Sequence, residues 1–178
     1  MEYADYTKLI EPIRHRMVGS IWKIVRDPDD TDDVLQDAMV EIARKIPAVR
    51  RHPNPTALIL RMCINLAIDF RRRTGRRKSD GSRPIETFEA RGPNPSEQLI
   101  LQERRSRALE AIQRLPAREA ESIVLLAVEG FSYGEVAQAM GCRESTARVL
   151  VMKARRRLRE MLPDDDAGAF SKMIETEA

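Results

Sequence analysis

Apolar residues recur at three- and four-residue intervals along most of this chain. Leu9, Ile10, Ile13, Met17, Ile21, Ile24 and Val25 form one such series, and Val34, Leu35, Ala38, Met39, Ile42 and Ile46 a second. Leu58, Met62, Leu66 and Phe70 form a third. This spacing lines one face of an α-helix, and the two-residue alternation of a half-buried strand is almost nowhere found. With only 8 glycines in 178 residues and 4% aromatics, the chain is expected to be all-α.

Breakers divide the helices. The first block runs to the turn Asp27-Pro28-Asp29, Thr31 or Asp30 is expected to cap the second helix, and Pro47 is expected to stop it. A loop over 50–55 leads to the third helix, whose second line carries Arg61, Asn65, Asp69, Arg72 and Arg73. From about 74 to 95 the sequence is rich in Arg, Gly, Ser and Pro without periodicity, which is expected of a linker. A helix is then expected over 96–114, and Pro116 is placed as the first residue of another that runs through Ile123, Leu126 and Ala127 to Gly130. The expectation is two small helical domains, 5–75 and 96–162, joined by a flexible linker over 76–95 and followed by an acidic disordered tail over 163–178.

The second domain carries the most specific pattern. Ser132 and Glu135 form a capping box, Val136, Ala139 and Met140 give the following helix an apolar stripe, and Gly141 can take the left-handed conformation that ends it. The turn Gly141-Cys142-Arg143 has helix-turn-helix length. The helix beyond it carries Arg143, Arg148, Lys153, Arg155, Arg156, Arg157 and Arg159 against only Glu144 before Glu160. Such a helix can enter a major groove while its flanks neutralise phosphates.

Charge agrees with a polyanionic partner. The net charge is +3, but Asp164, Asp165, Asp166, Glu175 and Glu177 against Lys172 put −4 on the tail and leave +7 on the rest. Other function classes find no support. Cys63 and Cys142 have no partner at metal or disulfide spacing, and His15 and His52 have no nucleophile or ligand beside them. There is no glycine-rich phosphate loop, so neither enzyme chemistry, cofactor nor metal is expected. No leader is evident and no apolar run approaches the roughly 20 residues of a membrane span, so a cytoplasmic protein is expected. On these residues alone, a regulator that binds duplex DNA without further machinery is one reading.

Four stretches together resemble the sigma-70 family of bacterial RNA polymerase sigma factors, most closely its extracytoplasmic-function (ECF) group, which retains only the second and fourth conserved regions. Asp29-Asp30-Thr31-Asp32-Asp33-Val34-Leu35-Gln36-Asp37 is similar to the family's acidic signature. Arg61 to Arg72, with Asn65 and Asp69 between them, resembles its R-x-x-x-N-x-x-x-D-x-x-R helix. Leu115-Pro116-Ala117-Arg118-Glu119-Ala120 resembles the entry to region 4, and residues 132–157 match its helix-turn-helix.

The resemblance implies a promoter-specificity subunit with two macromolecular partners, core RNA polymerase and promoter DNA. Asp30, Asp32, Asp33, Val34, Leu35, Gln36 and Asp37 would dock on the coiled-coil clamp of the polymerase largest subunit. Arg61, Asn65, Asp69, Arg72 and Arg73, with the 50–55 loop, would recognise the melted minus-ten element. Arg143, Ser145, Thr146, Arg148, Val149, Met152, Lys153 and Arg156 would face the minus-thirty-five duplex. Relatives are often restrained by an anti-sigma factor, a further possible partner. Val149 and Leu150 depart from the family's usual Ser or Thr followed by Arg. They are either apolar readers of thymine methyls or core residues of a slightly rotated helix.

Overall fold

The computed structural model describes residues 3–74 and 95–163, so nearly all of the expected linker and tail lies outside the described residues. Within the described residues every regular element is helical. Helix α1 (Tyr3–Ile10) passes through a 3-10 turn (Glu11–Ile13) into α2 (Arg14–Val25). The apolar series read as one block is therefore interrupted at Pro12, which has no N–H for a helical ladder. Met17, Ile21, Ile24 and Val25 keep the series buried across α2.

The next boundary differs from expectation. Arg26 ends α2 in the left-handed conformation, at φ +62°, and Asp27 caps α3 (Pro28–Arg51). The Asp27 carboxylate accepts from the Asp30 N–H at 3.0 Å, and Pro28 takes the first helical position, where no donor is missed. Neither Asp30 nor Thr31 is the cap, and Thr31 is buried. Pro47 does not stop the helix either. The stripe Val34, Ala38, Ile42 and Ile46 continues to the buried Val49, past the proline, and the helix runs on to Arg51. Burying Val49 contributes about 1.5–3 kcal/mol, which offsets much of the ~3 kcal/mol of an interior proline. The Arg51 guanidinium also donates to the Pro47 carbonyl at 2.9 Å.

Helix α4 (Pro55–Thr74) is capped by Asn54, whose side-chain oxygen accepts from the Ala57 N–H at 3.0 Å. Of the expected core line Leu58, Met62, Leu66 and Phe70, only Met62 is buried. Ala57, Ile59, Leu60, Cys63, Ile64, Ala67 and Ile68 are the deeply buried residues, whereas Leu58, Leu66 and Phe70 are only half-buried. The cause is tertiary: α4 packs on α2 and α3 on one side and on the C-terminal half on the other. A helix sandwiched in this way is apolar over more than one stripe.

The C-terminal half comprises α5 (Pro95–Arg114), α6 (Ala117–Ala127), α7 (Tyr133–Met140) and α8 (Glu144–Met161). Pro116 precedes α6 as its cap rather than opening it, and α6 ends at Ala127, short of Gly130. Helices α6, α7 and α8 pack mutually, and α4 reaches α6 and α7, so the two halves share one continuous apolar core.

Candidate nucleic-acid interface

The helix-turn-helix is built as its caps dictate. Ser132 Oγ accepts from the Glu135 N–H at 3.3 Å, and the Glu135 carboxylate accepts from the Ser132 N–H at 2.9 Å. Gly141 ends α7 at φ +61°, and Arg143 is the cap of α8 rather than a residue within it. Ala147, Val151, Ala154 and Leu158 turn inward. Ser145, Thr146, Arg148, Val149, Met152, Lys153 and Arg156 are all exposed along the outer face, with Arg143 at its head. Val149 is 44% and Met152 60% exposed, while Leu150 packs against the core. The two residues that depart from the family pattern thus part company: Val149 faces outward and Leu150 inward. Arg148 is held in place by the Glu144 carboxylate, at 3.0 and 2.6 Å, and lies over the Tyr133 ring, 4.4 Å from its centre.

On α3, Asp32, Asp33, Gln36 and Asp37 are exposed and Asp30 is half-exposed. Val34 and Leu35, expected among the docking residues, are only 2% and 5% exposed and belong to the core stripe. Helical geometry forces this, since residues 34, 38 and 42 share the face that meets α4. The apolar element of the outer face is instead Val40, 50% exposed and one turn beyond Gln36 and Asp37. Its signal in sequence was an apolar residue off the core stripe.

The polar line of α4 is placed unexpectedly. Asp69 and Arg73 are exposed, but Arg61, Asn65 and Arg72 are half-buried. Arg61 donates to the Glu121 carboxylate from Nε at 3.1 Å and to the Ala139 carbonyl at 3.0 Å. Arg72 donates to the carbonyls of Gln113 and Leu115 at 3.1 and 2.8 Å. The Asp69 carboxylate pairs with Arg72 at 3.5 Å, not with Arg73, which reaches only the Asp69 carbonyl. Between α3 and α4 lies a groove of about 280 Å³, walled by Glu41, Lys45, Leu58, Arg61, Asn65 and Asp69. Asn65 Oδ1 is buried there without a hydrogen-bond partner. The 50–55 loop contracts to His52, Pro53 and Asn54.

Among the described residues no cluster of His, Cys, Asp and Glu could hold a metal ion, and no helix is long and apolar enough to cross a membrane. Cys63 is buried, and burial, reinforced by the charge of Glu129, pushes its thiol up to about 12.

An exposed basic helix behind a capped turn, joined to a second helical unit with its own polar line, defines a two-part helix-turn-helix DNA-binding protein. Residues 9–77 match the family model for sigma-70 region 2, and residues 105–158 match that for sigma-70 region 4. The chain belongs to the sigma-70 family, in its ECF group. It is 26% identical to the RNA polymerase sigma-H factor of Pseudomonas aeruginosa over 155 residues, covering 83% of this chain and 80% of that one. It is 25% identical to the ECF RNA polymerase sigma-E factor of Escherichia coli over 158 residues, covering 84% and 82%. Among solved structures it is similar to a chain in the co-crystal of sigma factor RpoE with the anti-sigma factor NepR from Bartonella quintana. There the TM-score is 0.54 at 25% identity, over 90% of this chain and 98% of that chain.

Proposed function

We propose that this sigma factor divides promoter-specific initiation among three faces. The outer face of α3, with Asp32, Asp33, Gln36, Asp37 and the adjoining Val40, docks on core RNA polymerase. Its carboxylates supply charge and Val40 an apolar centre, the usual composition of a transient interface. The polar line of α4 takes the melted minus-ten strand. Asn65 carries both a donor and an acceptor for a base edge, and its oxygen, buried without a hydrogen-bond partner, is not committed to another contact within the protein. Arg61, Arg72 and Arg73 hold the backbone. The outer face of α8 reads the minus-thirty-five duplex, with Arg143, Lys153 and Arg156 on phosphates and Ser145, Thr146, Arg148, Val149 and Met152 toward the bases.

The observation that carries this reading is the pair of region 2 and region 4 matches, in that order on one chain, the second coinciding with a helix-turn-helix whose basic face is open. The protein works in the cytoplasm and contributes no catalytic step of its own. An anti-sigma factor is a further candidate partner, as RpoE has in NepR. Run-off transcription from a pool of genomic promoters, with purified core enzyme, tests the whole. Start sites that arise only when this chain is added support it. A chain that binds duplex DNA tightly without polymerase and adds no start site is a free-standing regulator instead.

A further inference from the structure

The Arg148 guanidinium is fixed on two sides. Glu144, one helical turn before it on α8, accepts from Nε at 3.0 Å and from Nη2 at 2.6 Å with a single carboxylate oxygen. The other oxygen of that carboxylate lies 3.7 Å from where a Cβ at Gly134 would stand, so Glu144 is seated against the first turn of α7. Tyr133, at the head of α7, packs against the core and places its ring 4.4 Å from the guanidinium carbon. An exposed ion pair four residues apart constrains a long side chain little by itself. The ring supplies a second constraint, and that ring is anchored in the core. Arg156 on the same face is held more loosely, 3.9 Å from Glu160.

The pairing leaves one particular edge open. Nε and one N–H of Nη2 are spent on Glu144, so the terminal edge of the guanidinium keeps two parallel N–H groups, one on each Nη. Two parallel donors match O6 and N7 of guanine in a major groove, where no other base presents two acceptors. The Glu144 charge also offsets that of Arg148, which weakens its pull on phosphates while leaving the terminal edge untouched. We propose that Tyr133 and Glu144 are positioning residues that hold Arg148 edge-on to one guanine of the minus-thirty-five duplex. Both act through Arg148, and the three side chains together set a guanine preference at a single position. This inference rests on the reading of α8 under the proposed function.

A duplex library randomised across the minus-thirty-five element, selected by the holoenzyme and sequenced, tests it. The wild type is expected to enrich guanine at one position by about tenfold over each other base. Glu144→Asp keeps the charge at the start of α8 but shortens the reach to Arg148, and Tyr133→Leu keeps apolar packing but removes the ring. Each is expected to cut that enrichment to roughly twofold and to leave preferences at the other positions as they were, which also reports a folded helix-turn-helix. Tyr133→Phe keeps the ring and is expected to behave as wild type. Should Tyr133→Leu lose all selection, Glu144→Asp alone decides. The proposal is overturned if no position selects guanine, or if Glu144→Asp leaves the guanine preference intact. It is equally overturned if both substitutions weaken all sequences alike, as a phosphate contact or a purely structural role would. The same selection on the chain without core enzyme separates this outcome from the sigma-factor reading. A guanine position that depends on residues 133 and 144 in the chain alone, with no response to core enzyme, keeps the positioning pair and sinks that reading. A promoter-selective holoenzyme whose guanine positions ignore both residues does the reverse.

Discussion

Arg61 of α4 and Glu121 of α6 form an ion pair at 3.0 Å across 60 residues of sequence, and the Glu121 carboxylate is turned inward from its own helix to do so. Arg61 is placed by its α4 neighbours on the line proposed to read DNA, and by its contacts between the two halves of the protein. Both descriptions hold for one side chain, because the two halves of the molecule meet at the polar line of α4.

The exposed carboxylates of α3 carry the polymerase prediction. Asp33→Arg with Asp37→Arg is expected to abolish association with core enzyme in gel filtration. Both residues lie beyond the first helical turn and are exposed, so the thermal midpoint should shift little. Retained core binding would remove α3 from the interface.

Val149 and Met152 predict a particular kind of base reading. If they contact thymine methyls, deoxyuridine in place of thymidine in the minus-thirty-five duplex should weaken holoenzyme binding. Each lost methyl contact is worth ~0.8 kcal/mol, about fourfold in affinity. Val149→Ser should reduce the difference between the two bases, and Val149→Ser with Met152→Gln should abolish it, as measured by filter binding.

Two glycines of the helix-turn-helix predict opposite signs. Gly141 stands at φ +61° with open space where a Cβ would go, so Gly141→Ala meets no clash but costs about 1–2 kcal/mol of backbone strain. Gly134 lies inside α7, where an added Cβ would touch Glu144 and Ser132 only at ordinary contact distance, 3.7 and 3.9 Å. Gly134→Ala is expected to stabilise by up to ~1 kcal/mol through helix propensity. Urea unfolding of both variants reads the signs directly.

Cys63 gives a pH prediction. Its thiol is raised from 9.0 to about 12, so its neutral form is favoured by folding. That contribution is complete below about pH 9 and is lost as pH rises through 12. The stability difference between wild type and Cys63→Ala should therefore narrow over that range in urea titrations. At neutral pH, iodoacetamide should modify the partly exposed Cys142 and spare Cys63 until the chain unfolds.

Local rules made much of this molecule legible before its fold was known. The capping box at Ser132 and Glu135, the left-handed Gly141 and the outward basic face of α8 follow from interactions between residues at most four apart, which spacing encodes directly. Contacts over longer separations followed no such rule. Val34 and Leu35 turned inward, α3 continued through Pro47, and α4 acquired a second buried side, each because another helix was there to receive apolar surface. The same holds for Arg61 and Arg72. A periodic pattern states which way a guanidinium points from its helix, but its partner among the distant carboxylates and helix ends is chosen only when the two halves pack.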